Sequence, residues 1–318
     1  MSRKVSPLAS RLSHWRLWSW RSRLCVLLGM AATLLPTISQ ASQVRMERFA
    51  SPTLGHDYPY MLYLPDGYTD STAHYPVIYL LHGSFNSHRD WVSRGALQRT
   101  ADRLIDAGHI PPVVIVMPGS LSWWVDGHNE PAHSAFINDL LPHVEETYRV
   151  GRERHHRGVA GYSAGGFGAL NFALQYPQRF GAAAALSPAS YLPYPPDSSS
   201  AYRHPAFLDE NGEFDHALWE QVNYPAHLEE YRLRVTPRPA DDESDVPPVP
   251  LYISAGRSDV HDAEFHARQL RQTMERIQPT LVNLDLYPGG HTWKVWRASL
   301  PAALNFMFQY LEGPEETP

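Results

Sequence analysis

The 318-residue chain contains a single cysteine, Cys25, and that one falls in an N-terminal apolar run. Past it there is no thiol, so disulfide staples, a cysteine nucleophile and cysteine-based metal sites are excluded. The H-E-x-x-H pattern of zinc hydrolases is absent, and His128 and His133 have no neighbours at ligand spacing, so no metal is expected. Glycine-rich phosphate motifs are missing, so no nucleotide or other cofactor is expected. No Arg-Arg pair marks a twin-arginine export signal.

Acidic residues are missing from the first 41 positions, which hold Arg3, Lys4, Arg11, Arg16, Arg21 and Arg23. The apolar run from Leu24 to Pro36 follows, then Ser39-Gln40-Ala41 with small residues suited to cleavage. This reads as a secretory signal peptide over 1–41, and the expected location is periplasmic or secreted. The rival is an uncleaved signal anchor, although the run is short for a membrane span. Removing these residues leaves 21 basic against 33 acidic side chains, a net charge of −12. Such a domain is a poor ligand for nucleic acid or an anionic membrane. No membrane span is expected in the mature chain, 42–318, and its oligomeric state is open.

What is present is a globular composition, 43% hydrophobic and 19% charged. Residues 44–64 alternate as two antiparallel strands. Continuous apolar runs at Pro76–Leu81 and Pro112–Met117 read as strands buried on both faces. Shorter strand-like runs occupy 157–160, 182–186 and 251–254, and 281–287 alternates as the last strand. Helical periodicity covers 97–107, 135–148, 166–176, 263–277 and 296–311. The expected fold class is α/β, a mostly parallel sheet covered by helices on both faces. Residues 189–248 break the alternation and read as a cap-like insertion, with a solvated acidic tract at 241–245.

Within this pattern Gly161-Tyr162-Ser163-Ala164-Gly165 stands between a strand and a helix. It is the G-x-S-x-G elbow, which lifts a serine hydroxyl out of a sharp turn. The pentapeptide alone is weak, and the strand before it and helix after it give it meaning. A serine nucleophile needs a base and the base an orienting acid, in the chain order Ser, acid, His. His291, in the glycine turn after the last strand, fits the base by position. Asp259 is the first carboxylate after the 251–254 strand, with Asp262 and Glu264 as rivals. An oxyanion hole needs two backbone N–H groups. Ala164 is expected to supply one, and Ser84, with Phe85 as alternative, the other.

The residues resemble the "Putative esterase" family of α/β-hydrolases, which includes feruloyl and acetylxylan esterases, S-formylglutathione hydrolase, enterochelin-type esterases and mycolyltransferases. The resemblance rests on Tyr79-Leu80-Leu81-His82-Gly83 with Trp91, on Gly161 to Ala169, on Tyr176-Pro177 before Phe180, on Leu186-Ser187, and on Gly289-Gly290-His291-Thr292-Trp293 before Trp296. It runs from about Met46 to Leu311. It implies an α/β-hydrolase fold and a Ser163–His291–Asp259 triad acting on carboxylic esters, with no cofactor. It also implies substrate contacts from Trp123, Trp124, Asp126 and Trp293, with packing under the cap as the alternative for the Trp123-Trp124 pair. Ser84-Phe85-Asn86 departs from the glycines or bulky apolar residue common after His-Gly in the family. An exported esterase on a small-molecule or carbohydrate ester is the leading expectation. An acyltransferase with a sugar or lipid acceptor uses the same triad, and a non-catalytic binding protein is the third reading.

Overall fold

Five strands have every residue buried, and they explain the architecture. In the computed structural model, which describes residues 41–236 and 246–316, they form the middle of an eight-stranded sheet. The strands are β1 (Gln43–Ser51), β2 (His56–Leu64), β3 (Val77–Leu81), β4 (Val114–Pro118), β5 (Arg157–Tyr162), β6 (Ala182–Leu186), β7 (Leu251–Gly256) and β8 (Val282–Tyr287). Their spatial order is β1-β2-β4-β3-β5-β6-β7-β8. β1 pairs with β2, and β2 with β4, antiparallel; every later pairing is parallel.

Period-two alternation sorts the strand side chains between two cores. Tyr79, Leu81, Val159, Ala183 and Ile253 face one, under the helices Ala164–Gln175 and Ala263–Glu275. Ile78, Leu80, Ala160, Ala184 and Tyr252 face the other, under Leu97–Asp106 and Trp293–Met307. A strand with apolar side chains on both faces reads as an unbroken apolar run, hence the sequence pattern at 76–81 and 112–117.

Three boundaries differ from the sequence expectation. The helix expected at 135–148 is three pieces, Ala132–Ala135, a π turn at Phe136–Leu140, and Leu141–Thr147. Pro142 has no N–H to continue an α ladder, which accounts for the interruption. The helix after the elbow starts at Ala164, two residues earlier than the apolar pattern indicates. The closing helix is Trp293–Met307, so Trp293 stands in its first turn.

The insertion after β6 folds as short 3₁₀ turns plus the helices His216–Val222 and Leu228–Val235. It has its own apolar cluster, in which Tyr191, Ala201, Phe207 and Trp219 pack on Trp123, Ala164 and Phe167. Trp219 stacks on Phe167 with ring centroids 5.6 Å apart. It thus sits against the start of the elbow helix, as a cap would. The signal-peptide reading of 1–41, apart from Ala41, and the acidic tract 241–245 lie outside the described residues. Among the described residues no helix is long and apolar enough to cross a membrane.

Candidate active site

Because β3 to β8 are parallel, the loops after them open on one edge of the sheet, the usual place for a site in such folds. β5 is central there, and it ends at Tyr162. Ser163 has φ 56° and ψ −119°, outside the favoured regions, and the helix begins at the next residue. A side chain at Gly161 would put Cβ 2.4 Å from the carbonyl oxygen of Gly165. One at Gly165 would meet the backbone oxygens of Leu81 and His82 at 2.6 Å. Both flanking glycines are therefore required by backbone contacts that cannot relax. The strain at Ser163 is held by its N–H donating to Leu186 O (2.9 Å) and its carbonyl accepting from Phe167 N (2.9 Å) and Ala189 N (3.1 Å).

His291 arrives on the loop after β8 and Asp259 on the loop after β7. The two loops interlock: Ser258 N donates to Gly289 O at 2.9 Å, and a Cβ on Gly290 would lie 2.9 Å from Ser258 O. His291 Nδ1 is 2.7 Å from Asp259 Oδ2, and His291 Nε2 is 2.8 Å from Ser163 Oγ. The Asp259 side chain is fully buried and that of His291 is 13% exposed. A carboxylate only accepts, so the proton sits on Nδ1 and Nε2 accepts from the serine hydroxyl. The second carboxylate oxygen of Asp259 accepts from His261 N at 3.0 Å, which fixes its orientation. An imidazole held in this tautomer can take the hydroxyl proton as the oxygen attacks an electrophile. Of the rival acids, Asp262 precedes and Glu264 lies in the helix Ala263–Glu275, and Glu264 pairs with Arg268 at 2.7 Å.

Gly83 brings the loop after β3 against the elbow, where an added Cβ would be 3.3 Å from Ser163 Cβ. Ser84 is next. Its hydroxyl oxygen accepts from Trp123 Nε1 and from Ser200 Oγ, each at 2.8 Å. Asn86 N donates to Gly83 O at 3.3 Å, closing a turn in which Phe85 has φ 54° and points a 63% exposed side chain outward. The Ala164 N–H is in the first helical turn, where backbone donors have no intrahelical partner. Beneath the loop, His82 Nδ1 donates to Gly83 O (2.8 Å) and Nε2 accepts from Ser120 N (3.0 Å). Burial, above all, pushes the His82 pKa down to about 4, so the neutral ring holds both bonds.

A small pocket of about 120 Å³ opens over Ser163, lined among others by Trp123, Tyr191, Ser200, His261 and Trp296. His261 and Trp296 set their edges or faces against His291, at 4.7 and 5.1 Å. Burial and then the neighbouring His291 hold His261 below the usual histidine pKa. Ser198 of the insertion lies 2.8 Å from His261 Nδ1 and donates to Val260 O, tying the cap to the acid loop. A larger groove of about 330 Å³, lined by Leu54, Tyr58, His82, His88, Leu121 and Glu130, shares Asn86 with the pocket.

Of the four residues expected at the substrate, only Trp123 lines the pocket. Trp124 is turned under the loop, where its Nε1 donates to His82 O at 3.0 Å and its ring fills the space over Gly168. Both tryptophans have positive φ, 30° and 64°. Asp126 accepts from Ser134 N (2.8 Å) and Ser134 Oγ (2.6 Å), bracing the segment that starts at Ala132. Trp293 is 8% exposed among Trp91, Tyr162 and Trp296 in the core. His128 pairs with Asp215 (2.8 Å) and His133 with Tyr176 (3.2 Å), so the two histidines have separate partners. Sequence reasoning missed Tyr191, Ser200, His261 and Trp296. For Trp296 a signal existed, its place three residues after Trp293 on one helical face.

Sheet order, a strained serine between strand and helix, and acid and histidine on the last two strand loops together define an α/β-hydrolase. Comparison with known proteins narrows the class. Residues 51–307 match the family described as "Putative esterase", and the chain belongs to it. It is 37% identical over 155 residues to an esterase of Mycobacterium tuberculosis (strain CDC 1551), covering 45% of this chain and 32% of that one. It is 28% identical over 163 residues to an endo-1,4-beta-xylanase/feruloyl esterase of Xylanibacter ruminicola, covering 47% of this chain and 22% of that one. The chain thus spans less than a third of the length of either relative in these matches. Among solved structures, a ferulic acid esterase superposes with TM-score 0.70 at 25% identity over 86% of this chain and 100% of its own. An S-formylglutathione hydrolase of Agrobacterium tumefaciens does so with TM-score 0.64 at 16% identity, over 86% of this chain and 96% of its own, a likeness of fold.

Proposed function

We propose that the protein is an exported serine carboxylesterase. The observation that carries this is the run of two hydrogen bonds from Asp259 through His291 to Ser163, at 2.7 and 2.8 Å. Ser163 Oγ attacks the ester carbonyl while His291 Nε2 takes its proton. Asp259 stabilises the imidazolium that forms. The N–H groups of Ala164 and Ser84 stabilise the oxyanion. The proton then passes from His291 to the leaving alkoxide, and water, activated by the same histidine, cleaves the acyl-enzyme.

The substrate proposed is a carbohydrate-linked acyl or feruloyl ester. The ferulic acid esterase and xylanase/feruloyl esterase likenesses support it, as does the division of space at the site. A planar acyl group suits the small pocket between Trp123, Tyr191 and Trp296, because aromatic walls match an aryl face. The bulkier alcohol lies in the groove beyond Asn86. Export is proposed from the basic then apolar pattern of 1–41.

The reading is tested by intact-mass analysis after treatment with a fluorophosphonate, alongside hydrolysis of methyl ferulate and of feruloylated and acetylated oligosaccharides. One adduct on Ser163, with release of free acid from a feruloylated sugar, is the expected result. Failure of both labelling and turnover contradicts it.

A further inference from the structure

At the opposite edge of the sheet, just before β5, the 3₁₀ turn Arg154–His156 holds a cluster that the catalytic site does not use. His156 is 1% exposed, its ring pressed against Gly151, where a Cβ would lie 2.4 Å from His156 Cγ. Both of its ring nitrogens are buried and have no hydrogen-bond partner among the described residues. A neutral imidazole left with a buried donor and a buried acceptor unpaired costs stability, so the arrangement asks for a partner. Glu153 Oε2 lies 3.6 Å from Nδ1. That is too long for a hydrogen bond. It is close to the roughly 3.4 Å that separates two ligand atoms of a tetrahedral shell with ~2.0–2.1 Å bonds.

His155 completes the set. One ligand atom from each of Glu153, His155 and His156 lies within 4.8 Å of the others. Glu312 adds a second carboxylate from the C-terminal segment: its Oε2 is 3.8 Å from His155 Nε2, and its N–H donates to His155 O at 2.9 Å. Two imidazoles with one or two carboxylates are a donor set for a borderline divalent transition ion. They are wrong for calcium, which takes six to eight oxygens.

We propose that Glu153, His155 and His156 bind one Zn²⁺, with Glu312 or water as fourth ligand. The ion is structural. It lies at the entry to β5, far along the strand from Ser163, and with Glu312 as ligand it staples the C-terminal segment to the central strand. This runs against the sequence expectation of no metal, which considered His128 and His133 but not the Glu153-Arg154-His155-His156 run. A chain without cysteine past its leader has histidine and carboxylate as its strong zinc ligands.

The test uses the full chain, treated with chelator and then titrated with ZnSO4 by calorimetry, with Tm followed in parallel. Glu153→Gln and His155→Ala change exposed side chains and leave the fold intact, checked by circular dichroism; His128→Ala is the control. The expected result is one Zn²⁺ per chain, a Tm rise with zinc, unchanged affinity in His128→Ala, and affinity weakened about tenfold or more in each of the other two. Calcium should give neither heat nor a Tm rise. Absence of zinc binding by the parent chain, or equal affinity in all four proteins, overturns the proposal. The readout is independent of ester hydrolysis, so it stands or falls apart from the catalytic reading.

Discussion

His291 Nε2 lies 2.8 Å from Ser163 Oγ although 128 residues separate them in the chain. The distance is set by the sheet: Ser163 follows the central strand, His291 follows the edge strand β8, and the loops carrying Asp259 and His291 interlock through Ser258 and Gly289. That one relationship makes the site's chemistry testable residue by residue.

Asp259→Asn keeps the size of the side chain and removes the group that requires a proton on His291 Nδ1. An amide in its place can donate to Nδ1, which drives the imidazole proton to Nε2 and blocks acceptance from Ser163. The expected outcome is a fall in kcat of about 10⁴ with an unchanged fold. Steady-state kinetics on an aryl ester, paired with thermal melting of the same preparation, checks it.

Trp296 and Trp124 should differ in their effect on acyl preference. Trp296 lines the pocket and donates to the buried Ser187 Oγ at 3.3 Å, so Trp296→Phe should alter kcat/KM between acetyl and feruloyl esters by about tenfold and also cost about 1–3 kcal/mol of stability. Trp124 is in the core under His82, so Trp124→Phe should leave the acyl preference alone. It should destabilise by about 1–3 kcal/mol, because His82 O loses a buried donor. Urea unfolding of both variants beside an ester panel separates the effects.

That contrast marks how far the sequence could be read. The buried strands β3, β4 and β6 were legible because burial on both faces leaves an apolar run no polar residue interrupts, with Gly or Pro close to its ends. Ser163, Asp259 and His291 were legible as an order along the chain, since Ser163 directly follows a strand and the other two lie in the loops after later strands. Which of Trp123 and Trp124 faces the pocket was not, because both residues have positive φ, a backbone conformation that no local sequence pattern announces here. His261 and Tyr191 were hidden for another reason: they meet the site through the packing of two loops distant in sequence, and no local pattern encodes that meeting. Trp293 shows the reverse error, a residue beside the histidine in sequence but turned into the core because the closing helix starts there.

Acid should weaken the fold through His82. Its pKa is about 4 in the folded chain against 6.5 as the ordinary value, so between these limits the unfolded chain holds the extra proton. Stability therefore rises with pH across that window and is fully present above about 6.5. It is lost progressively as pH falls towards 4, for a total of about 3 kcal/mol from this one ring. His82→Gln retains a donor for Gly83 O and an acceptor for Ser120 N without a titrating group. Its unfolding free energy should fall less steeply over pH 4–6.5 than the parent's, by up to about 1.4 kcal/mol per pH unit. Identical slopes would show that His82 does not titrate with unfolding.

The most direct test of the account is the ratio of kcat/KM for the parent and Ser163→Ala on a feruloylated oligosaccharide, with melting curves to show that both are folded. The account predicts a loss of about 10⁴-fold or more, because the hydroxyl that receives the acyl group is gone while the pocket and oxyanion donors stay. A folded Ser163→Ala variant that retains turnover within about tenfold of the parent would contradict it, and Ser163 would not be the nucleophile.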